Sequence, residues 1–177
     1  SRTFELSSVF RSAAESALLY KCSARDNSLV GKDVVRHPGA VVILPLLSDE
    51  RVCLIQNLRP SVGLSLVELP AGTCEPPEPV GKTARRELIE ETGFRAGILE
   101  PLLEFYATPG ICDERMYLFL ATDLVEGEHA REATEQIQNL IVSIEEAITM
   151  IDDGRIQDGK TIVGLLYYQW MREKKNA

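Results

Sequence analysis

The chain of 177 residues has the length of one domain and can bury a core without disulfide or metal staples. Its hydrophobic content of 45% and charged content of 26% are ordinary for a globular protein, and its longest apolar run, 40–47, is too short to span a bilayer. A net charge of −8 argues against a general nucleic-acid binder, because binding to the phosphate backbone depends on Lys and Arg. An acidic protein that binds phosphates therefore needs a local device, such as carboxylates that hold a divalent metal.

The cysteines are scattered singly along the chain, as Cys22, Cys53, Cys74 and Cys112. They form no CxxC pair and no zinc-finger spacing, so they predict reduced thiols in a cytoplasmic protein. The first residues lack the charged start and the long apolar stretch of a signal peptide. We therefore expect neither export nor a membrane segment.

The N-terminal 38 residues have a mixed pattern. Residues 12–22 suit either a short helix or a strand, and residues 24–31 indicate a turn followed by a strand. Residues 40–47 form a β-branched run of core-strand length, and a turn at 48–50 leads to a second strand over 51–57. We expect these last two strands to form a hairpin.

A short strand over 66–69 and a Pro-rich connection precede the first predicted helix. Pro79 suits a first helical position, and an apolar stripe follows at i, i+4 and i+8. Gly93 is typical of the C-cap that would end this helix. The stripe residues are Val80, Ala84 and Leu88.

The second half of the chain predicts strands over 102–106, 116–122 and 137–142. Ser143 and Glu146 have the spacing of a capping box that opens a helix to about residue 153, and a last helix is expected over 160–173. Strands interrupted by three helices, without regular βαβ repeats, predict an α+β fold or a three-layer sandwich with a mixed sheet.

On the first predicted helix, Glu87, Glu90 and Glu91 fall at i, i+3 and i+4, so their carboxylates lie on one side. Like charges at this spacing destabilise a helix, although Arg86, four residues before Glu90, offsets part of the cost. One interpretation is a solvated face with mixed ion pairs. The ordered setting, with glycines on both sides and Glu78 ahead of the helix, favours a functional cluster instead.

Residues 72–94, GTCEPPEPVGKTARRELIEETGF, resemble the Nudix box, G-x5-E-x7-R-E-U-x-E-E-x-G-U, in which U is a bulky aliphatic or apolar residue. The matching residues are Gly72, Glu78, Arg86, Glu87, Leu88, Glu90, Glu91, Gly93 and Phe94, the last as an aromatic version of its position. The resemblance implies an α+β fold of the Nudix type, an α/β/α sandwich with a central mixed sheet and an N-terminal strand extension. It places the extension at 1–38 and the Nudix domain at 39–177.

The resemblance also implies a bound Mg²⁺ or Mn²⁺, ions that favour hard oxygen ligands. The ligands would be Glu87, Glu90, Glu91 and the backbone carbonyl of Ala71, while Arg86 would hold the glutamates in place. Among these, Glu90, Glu91 and Arg86 are the candidate catalytic residues on the helix.

Features outside the box resemble the ADP-ribose pyrophosphatase subgroup, above all Pro109, fifteen residues after Phe94. The candidate substrate-binding residues are Arg59, Glu68, Pro109, Gly110 and Glu114. Arg59 suits a phosphate contact because its planar fork matches phosphate geometry, although it could equally be an ordinary surface arginine. The segment from Asp158 to Thr161 also resembles the subgroup.

The resemblance implies hydrolysis of ADP-ribose, in which bound metals neutralise the diphosphate and activate water, to give AMP and ribose 5-phosphate. Glu135, in a charged loop, is the first candidate for a further metal ligand or catalytic base, and Glu132 is the reserve; the loop could instead be simply solvated. We expect a homodimer in which the N-terminal strands help to build the partner's site. Two alternatives remain open: a pyrophosphatase for another nucleotide sugar, such as ADP-glucose or GDP-mannose, and a non-catalytic module that senses ADP-ribose.

Overall fold

A computed structural model describes residues 5–11, 16–23, 29–127 and 137–176 of the chain, which form ten strands and three helices. The strands are β1 (Glu5–Arg11), β2 (Ser16–Ser23), β3 (Leu29–Val35), β4 (Ala40–Pro45), β5 (Arg51–Arg59), β6 (Leu64–Glu68), β7 (Ala71–Thr73), β8 (Phe94–Tyr106), β9 (Arg115–Glu126) and β10 (Gln138–Ser143). The helices are α1 (Val80–Thr92), α2 (Ile144–Asp152) and α3 (Gly159–Asn176). None of these helices has the combination of length and apolar character needed to cross a membrane.

The N-terminal segment forms a three-stranded antiparallel sheet in the order β1-β2-β3. Of the two possibilities for residues 12–22, the described part is strand. The sheet connects to the rest of the chain at Val35, whose N–H donates to the carbonyl of Ile111 at 2.8 Å and whose carbonyl accepts from Asp113 at 3.2 Å. The predicted strand extension is therefore present and is hydrogen-bonded to the loop between β8 and β9.

Two further sheets form the centre of the molecule. The mixed sheet has the order β7-β4-β9-β8, in which β4 and β9 are parallel, and the antiparallel sheet has the order β10-β5-β6. The predicted hairpin of β4 and β5 is wrong, because these strands join different sheets after an isolated bridge between Leu46 and Val52. Both edges of β4 are already taken by β7 and β9, so β5 pairs elsewhere.

Strand β4 is buried on both faces, which explains its continuous apolar run. Val41 and Ile43 face a cluster that includes Ala84 and Leu88 of α1. The alternate residues of β4 face a second cluster, to which α2 and α3 contribute. That cluster includes Ala40, Val42 and Leu44 from β4, Ile144, Ala147 and Met150 from α2, and Leu165 and Tyr168 from α3. The layers are therefore α1, the sheets, and α2 with α3, which confirms the predicted α/β/α sandwich.

The helix ends agree closely with the sequence signals. Gly93 ends α1 in the left-handed conformation, with φ of 80°, and its N–H donates to Ile89. Pro79 is the N-cap, one position earlier than predicted. Ser143 caps α2 by accepting a hydrogen bond from the Glu146 N–H at 3.0 Å, as the capping box predicted.

Strands β8 and β9 are longer than the predicted 102–106 and 116–122. Gly97 and Pro101 argue against a strand in the first half of β8. The structure accommodates Pro101 because β8 lies at the edge of its sheet and its register shifts between Pro101 and Leu103. An edge strand does not need a donor at every position.

Candidate active site

The Nudix-box residues meet where α1 passes beside the short edge strand β7. Gly72 lies in the middle of β7, directly against the side chain of Glu87 on α1. A Cβ atom at position 72 would overlap the carboxyl group of Glu87, so only glycine fits this close approach. The first glycine of the box is therefore explained by the space that the glutamate needs.

Glu91 is almost completely buried beneath the same strand. Its exposed fraction is 5%, and its Oε2 accepts a hydrogen bond from the Ala71 N–H at 2.8 Å. Ala71, whose carbonyl was predicted to bind metal, thus also fixes Glu91 through its N–H. This bond ties the C-terminal part of α1 to β7.

Arg86 holds two of the carboxylates from the other side. Its Nη1 donates to Glu90 Oε2 at 2.8 Å and lies 2.9 Å from Glu87 Oε1. Glu78 and Glu75 lie further away, at 3.6 and 3.7 Å. Burial lowers the pKa of Arg86, but the charges of Glu87 and Glu90 outweigh it and the pKa is raised. Arg86 therefore lies between two of the carboxylates that it is predicted to hold in place.

The Nη2 atom of Arg86 is buried and has no hydrogen-bond partner within the described part of the chain. Glu87, Glu90, Glu91 and Arg86 line a cavity of about 240 Å³ together with Ala71–Thr73 of β7. Among the described residues, no three acidic, histidine or cysteine side chains converge closely enough to enclose a cation by themselves. The candidate metal ligands in this cavity are the carboxylate oxygens of Glu87, Glu90 and Glu91 and the carbonyl oxygen of Ala71. Such hard oxygen ligands fit Mg²⁺ or Mn²⁺ when other oxygens complete the coordination shell.

A larger cleft of about 490 Å³ adjoins this cavity and shares Arg59 and the three residues of β7 with it. Thr108 and Glu114 line the cleft from the loop between β8 and β9, and Asp158 and Lys160 line it from the start of α3. The carboxylate cavity and the cleft therefore meet at Arg59 and β7.

Arg59 forms a two-pronged ion pair with Glu68, the last residue of β6. Its Nε donates to Glu68 Oε1 at 2.7 Å, and its Nη2 donates to Oε2 at 2.6 Å. The Arg59 side chain is 39% exposed, whereas that of Glu68 is 0% exposed. The hydrogen bond to Glu68 raises the pKa of Arg59. Burial raises the pKa of Glu68, but Arg59 and Lys160 together outweigh burial and lower it.

Lys160 and Asp158 extend this ion pair to the start of α3. The Lys160 ammonium donates to Glu68 Oε2 and lies 3.0 Å from Asp158 Oδ1. Asp158 Oδ2 accepts from the backbone N–H and the hydroxyl of Thr161, at 3.0 and 2.6 Å, and so caps the helix. The hydroxyl oxygen of Thr161 accepts from the Leu69 N–H at 2.7 Å. The first turn of α3 is thereby fixed to the end of β6.

The structure divides the predicted substrate-binding residues into three groups. Arg59 and Glu114 line the cleft, whereas Glu68 lies beneath it. Pro109 and Gly110 are exposed in the neighbouring loop and do not line the cleft. The predicted Glu132 and Glu135 lie outside the described residues.

Thr108, Asp158 and Lys160 all line the cleft but were not among the predicted substrate-binding residues, although the segment from Asp158 to Thr161 was noted for its resemblance to the subgroup. The available signal was Asp158 three residues before Thr161, the spacing of a helix cap. That spacing predicts a helix start but does not reveal that the start faces Glu68.

Comparison with known proteins gives both a family and close relatives. The model of the NUDIX domain matches residues 35–163. The methanol dehydrogenase activator of Bacillus methanolicus is 33% identical over 147 residues, covering 82% of this chain and 80% of the relative. The ADP-ribose pyrophosphatase of Bacillus subtilis (strain 168) is 34% identical over 140 residues, covering 78% and 76%. The GDP-mannose pyrophosphatase of Enterobacter sp. (strain 638) is 32% identical over 155 residues, covering 77% and 80%.

The solved structure of an ADP compounds hydrolase has the same fold. It matches with a TM-score of 0.87 and 20% identity, covering 99% of this chain and 97% of the other. The family match spans most of the chain, and the relatives exceed 30% identity over most of their length. The chain therefore belongs to the NUDIX domain family, and the prediction of a Nudix hydrolase is confirmed.

Proposed function

We propose that the protein hydrolyses the diphosphate of a nucleoside diphosphate sugar in a metal-dependent reaction, with ADP-ribose as the leading substrate. The observation that carries this proposal is the meeting of an acidic cavity and a substrate-sized cleft at one arginine, Arg59. A diphosphate is the part of such a substrate that needs both metal-binding carboxylates and a cation. The relatives named for ADP-ribose and GDP-mannose support the same substrate class.

Arg59 is the residue that we assign to the diphosphate. Glu68 engages its Nε and Nη2, which holds the guanidinium plane while the side chain still lines both the cleft and the cavity. A guanidinium fixed in this way loses little conformational entropy when it binds phosphate oxygens. Because it stands at the junction, it can orient the diphosphate with its two halves on either side.

Glu87, Glu90, Glu91 and the carbonyl of Ala71 would hold Mg²⁺ or Mn²⁺, and the ion would neutralise phosphate charge and lower the pKa of bound water. The protein's own part is to keep these oxygens in place. Glu91 is held by the Ala71 N–H, and Arg86 holds Glu87 and Glu90. Gly72 leaves room for the carboxyl group of Glu87.

In the proposed reaction, the oxygen of water adds to one phosphorus of ADP-ribose and the bridging oxygen leaves with the other phosphate. The products are AMP and ribose 5-phosphate, and the two protons of water are shared between the products and the solvent. A base for the water is still needed, and Glu135, with Glu132 in reserve, remains the sequence-based candidate. Both lie outside the described residues.

We further propose that residues 39–177 form the catalytic domain of a cytoplasmic homodimer, with residues 1–38 as an extension that aids dimerisation. The three-stranded N-terminal sheet and its hydrogen bonds to the loop at 111–113 support this division. That loop leads directly to Glu114 in the cleft. The extension is thus connected to the substrate site through a short stretch of backbone.

The test measures the release of AMP from ADP-ribose in the presence of Mg²⁺ or Mn²⁺. ADP-glucose, GDP-mannose and NADH are assayed in parallel for release of their own nucleoside monophosphates. Glu91→Gln serves as the inactive control. Metal-dependent cleavage of ADP-ribose that is lost in the variant would support both the class and the substrate. Cleavage of another nucleotide sugar alone would keep the class and reject ADP-ribose, with GDP-mannose the first candidate in view of its pyrophosphatase relative. Tight binding of ADP-ribose without cleavage would indicate a sensor instead.

A further inference from the structure

Lys160 lies in the cleft wall but is already engaged by two carboxylates. Its ammonium donates to Glu68 and lies 3.0 Å from Asp158, and its side chain is 12% exposed. Arg59, which shares Glu68 with it, is 39% exposed. Of the two cations, Arg59 is therefore the one with the larger surface available to a substrate.

The two carboxylate oxygens of Glu68 have different numbers of cationic partners. Oε1 accepts from Arg59, whereas Oε2 accepts from both Arg59 and Lys160. Removing Lys160 would leave Glu68 buried with Arg59 as its remaining cation, and Asp158 would lose a nearby positive charge. A buried carboxylate with fewer partners relaxes toward the remaining cation or toward solvent, and either movement displaces Arg59.

Lys160 itself is held by the fold and not by the substrate. Asp158 caps α3, and the adjacent Thr161 accepts a hydrogen bond from Leu69, the residue after Glu68. Lys160 and Glu68 are 92 residues apart in sequence, yet the hydrogen bond between Leu69 and Thr161 holds their backbones beside each other. The support beneath Arg59 is therefore built before a substrate arrives.

We propose that Lys160 is a positioning residue for the reaction, which acts on the substrate through Glu68 and Arg59 and does not contact the phosphates itself. This inference rests on the proposed function in so far as Arg59 binds the diphosphate. It deepens that function by making the start of α3 part of the phosphate-recognition apparatus. The structural part of the proposal is that Lys160 fixes the orientation of Arg59, and this part can be tested without measuring catalysis.

The kinetic test is a double-mutant cycle between Lys160→Met and Arg59→Ala, measured as kcat and KM for ADP-ribose. Lys160→Met should raise KM about tenfold with little change in kcat, the effect of losing a hydrogen bond to a charged group. In the Arg59→Ala background the same change should alter KM less than about twofold, because its effect passes through Arg59. Lys160→Arg, which keeps the charge, should recover most of the loss.

Lys174→Met is the matched control, since it makes the same substitution on the same helix, where Lys174 stands over the ring of Trp170. It should leave KM unchanged. Equal losses from Lys160→Met in both backgrounds would mean that Lys160 binds the phosphates directly and would overturn the proposal. An unchanged KM in a folded Lys160→Met protein would overturn it as well.

The second readout is the Nε–H signal of Arg59 in a ¹H–¹⁵N spectrum, assigned by its loss in Arg59→Ala. In the wild type this hydrogen should exchange slowly with water, because it is bonded to Glu68 at 2.7 Å. Lys160→Met should speed the exchange about tenfold, and Lys160→Gln is the second variant if the first does not fold. Unchanged exchange in a folded variant would overturn the inference. A wild type that cleaves no nucleotide sugar would instead defeat the proposed function and leave this comparison intact.

Discussion

The two charged clusters at the ends of the site are built on opposite plans. Around Arg86, one guanidinium faces four glutamates. The nearest oxygens lie at 2.9 Å (Glu87), 2.8 Å (Glu90), 3.6 Å (Glu78) and 3.7 Å (Glu75). Around Glu68, two cations face two carboxylates, and the central glutamate is fully buried. The first cluster has an excess of negative charge, whereas the second is balanced.

This difference separates two uses of ion pairs. An unbalanced, partly exposed cluster keeps a field that attracts cations, at a cost to the apo protein. A balanced, buried cluster has little net field but strict geometry, since each partner fixes the others. The acidic cluster is therefore suited to binding a metal, and the balanced cluster to holding Arg59 in one orientation.

The largest expected effect comes from weakening the acidic cluster. Glu87→Gln should lower kcat for ADP-ribose on the order of a thousandfold, because the proposed metal would supply several kcal/mol of transition-state stabilisation. Mn²⁺ at about 100 times its Kd should stabilise the wild type by about 2.7 kcal/mol and stabilise this variant far less. Steady-state kinetics and thermal unfolding with and without Mn²⁺ measure both effects. Glu145→Gln, on the exposed first turn of α2, is the control, and equal Mn²⁺ stabilisation of both variants would contradict the assignment.

The balanced cluster should instead show its importance in stability. Glu68→Gln should lower the free energy of unfolding by about 3 kcal/mol at pH 7, because it breaks a buried ion pair. Since the folded protein lowers the pKa of Glu68 from the ordinary 4.5, its contribution is present above that pH and is lost as the pH falls through the lowered value. Denaturant unfolding from pH 7 to pH 3 measures the difference between wild type and variant. A difference that stays constant down to pH 3 would refute the assigned role of this carboxylate.

A steric change at Gly72 should affect the acidic cluster without changing any charge. Gly72→Ala should reduce kcat about a hundredfold, because the new methyl group displaces the carboxyl group of Glu87 and misplaced groups cost about that much. Gly81→Ala is the matched control, since it lies in α1 with open space around its Cβ position, and it should be neutral or slightly stabilising. Activity assays and thermal unfolding of both variants make the comparison. Similar losses in the two variants would show that the close approach at Gly72 is not what matters.

The smallest expected effect keeps the charge of the junction residue and alters its shape. Arg59→Lys should raise KM for ADP-ribose about tenfold, since lysine cannot contact Glu68 and phosphate through one planar fork. Arg51→Lys is the matched control at the other end of β5, where Arg51 forms an exposed ion pair with Asp49 that contributes little to stability. It should leave KM unchanged. Initial rates across a substrate series give both KM values. If the Arg59 variant keeps the wild-type KM, the junction does not recognise phosphate through its geometry.

Local sequence signals predicted the acidic cluster and its helix well. The spacing of Glu87, Glu90 and Glu91 and the cap at Gly93 depend on residues within one helix, so the chain itself reveals them. The hairpin of β4 and β5 failed because strand pairing is decided by β7 and β9, which are distant in sequence.

The balanced cluster was only partly predictable for the same reason. Arg59 and Glu68 were both singled out, but their mutual ion pair and the burial of Glu68 depend on how β5 pairs with β6. Lys160 lies 92 residues from Glu68, and no local pattern connects the two. Contacts of this kind follow from the packing of α3 on the sheet and become visible in three dimensions.

Because β4 is buried on both faces, it supports the fold while other residues line the substrate cleft. β4 organises both apolar clusters, yet apart from Ala40 at its start it contributes nothing to the cleft wall. Substitutions at Thr108 or Glu114, in the loop between β8 and β9, can therefore change what the cleft accepts while the packing around β4 stays the same. At these loop positions a change in substrate preference carries little risk to folding, whereas the cleft residues Arg59 and Lys160, which pair with the buried Glu68, serve both.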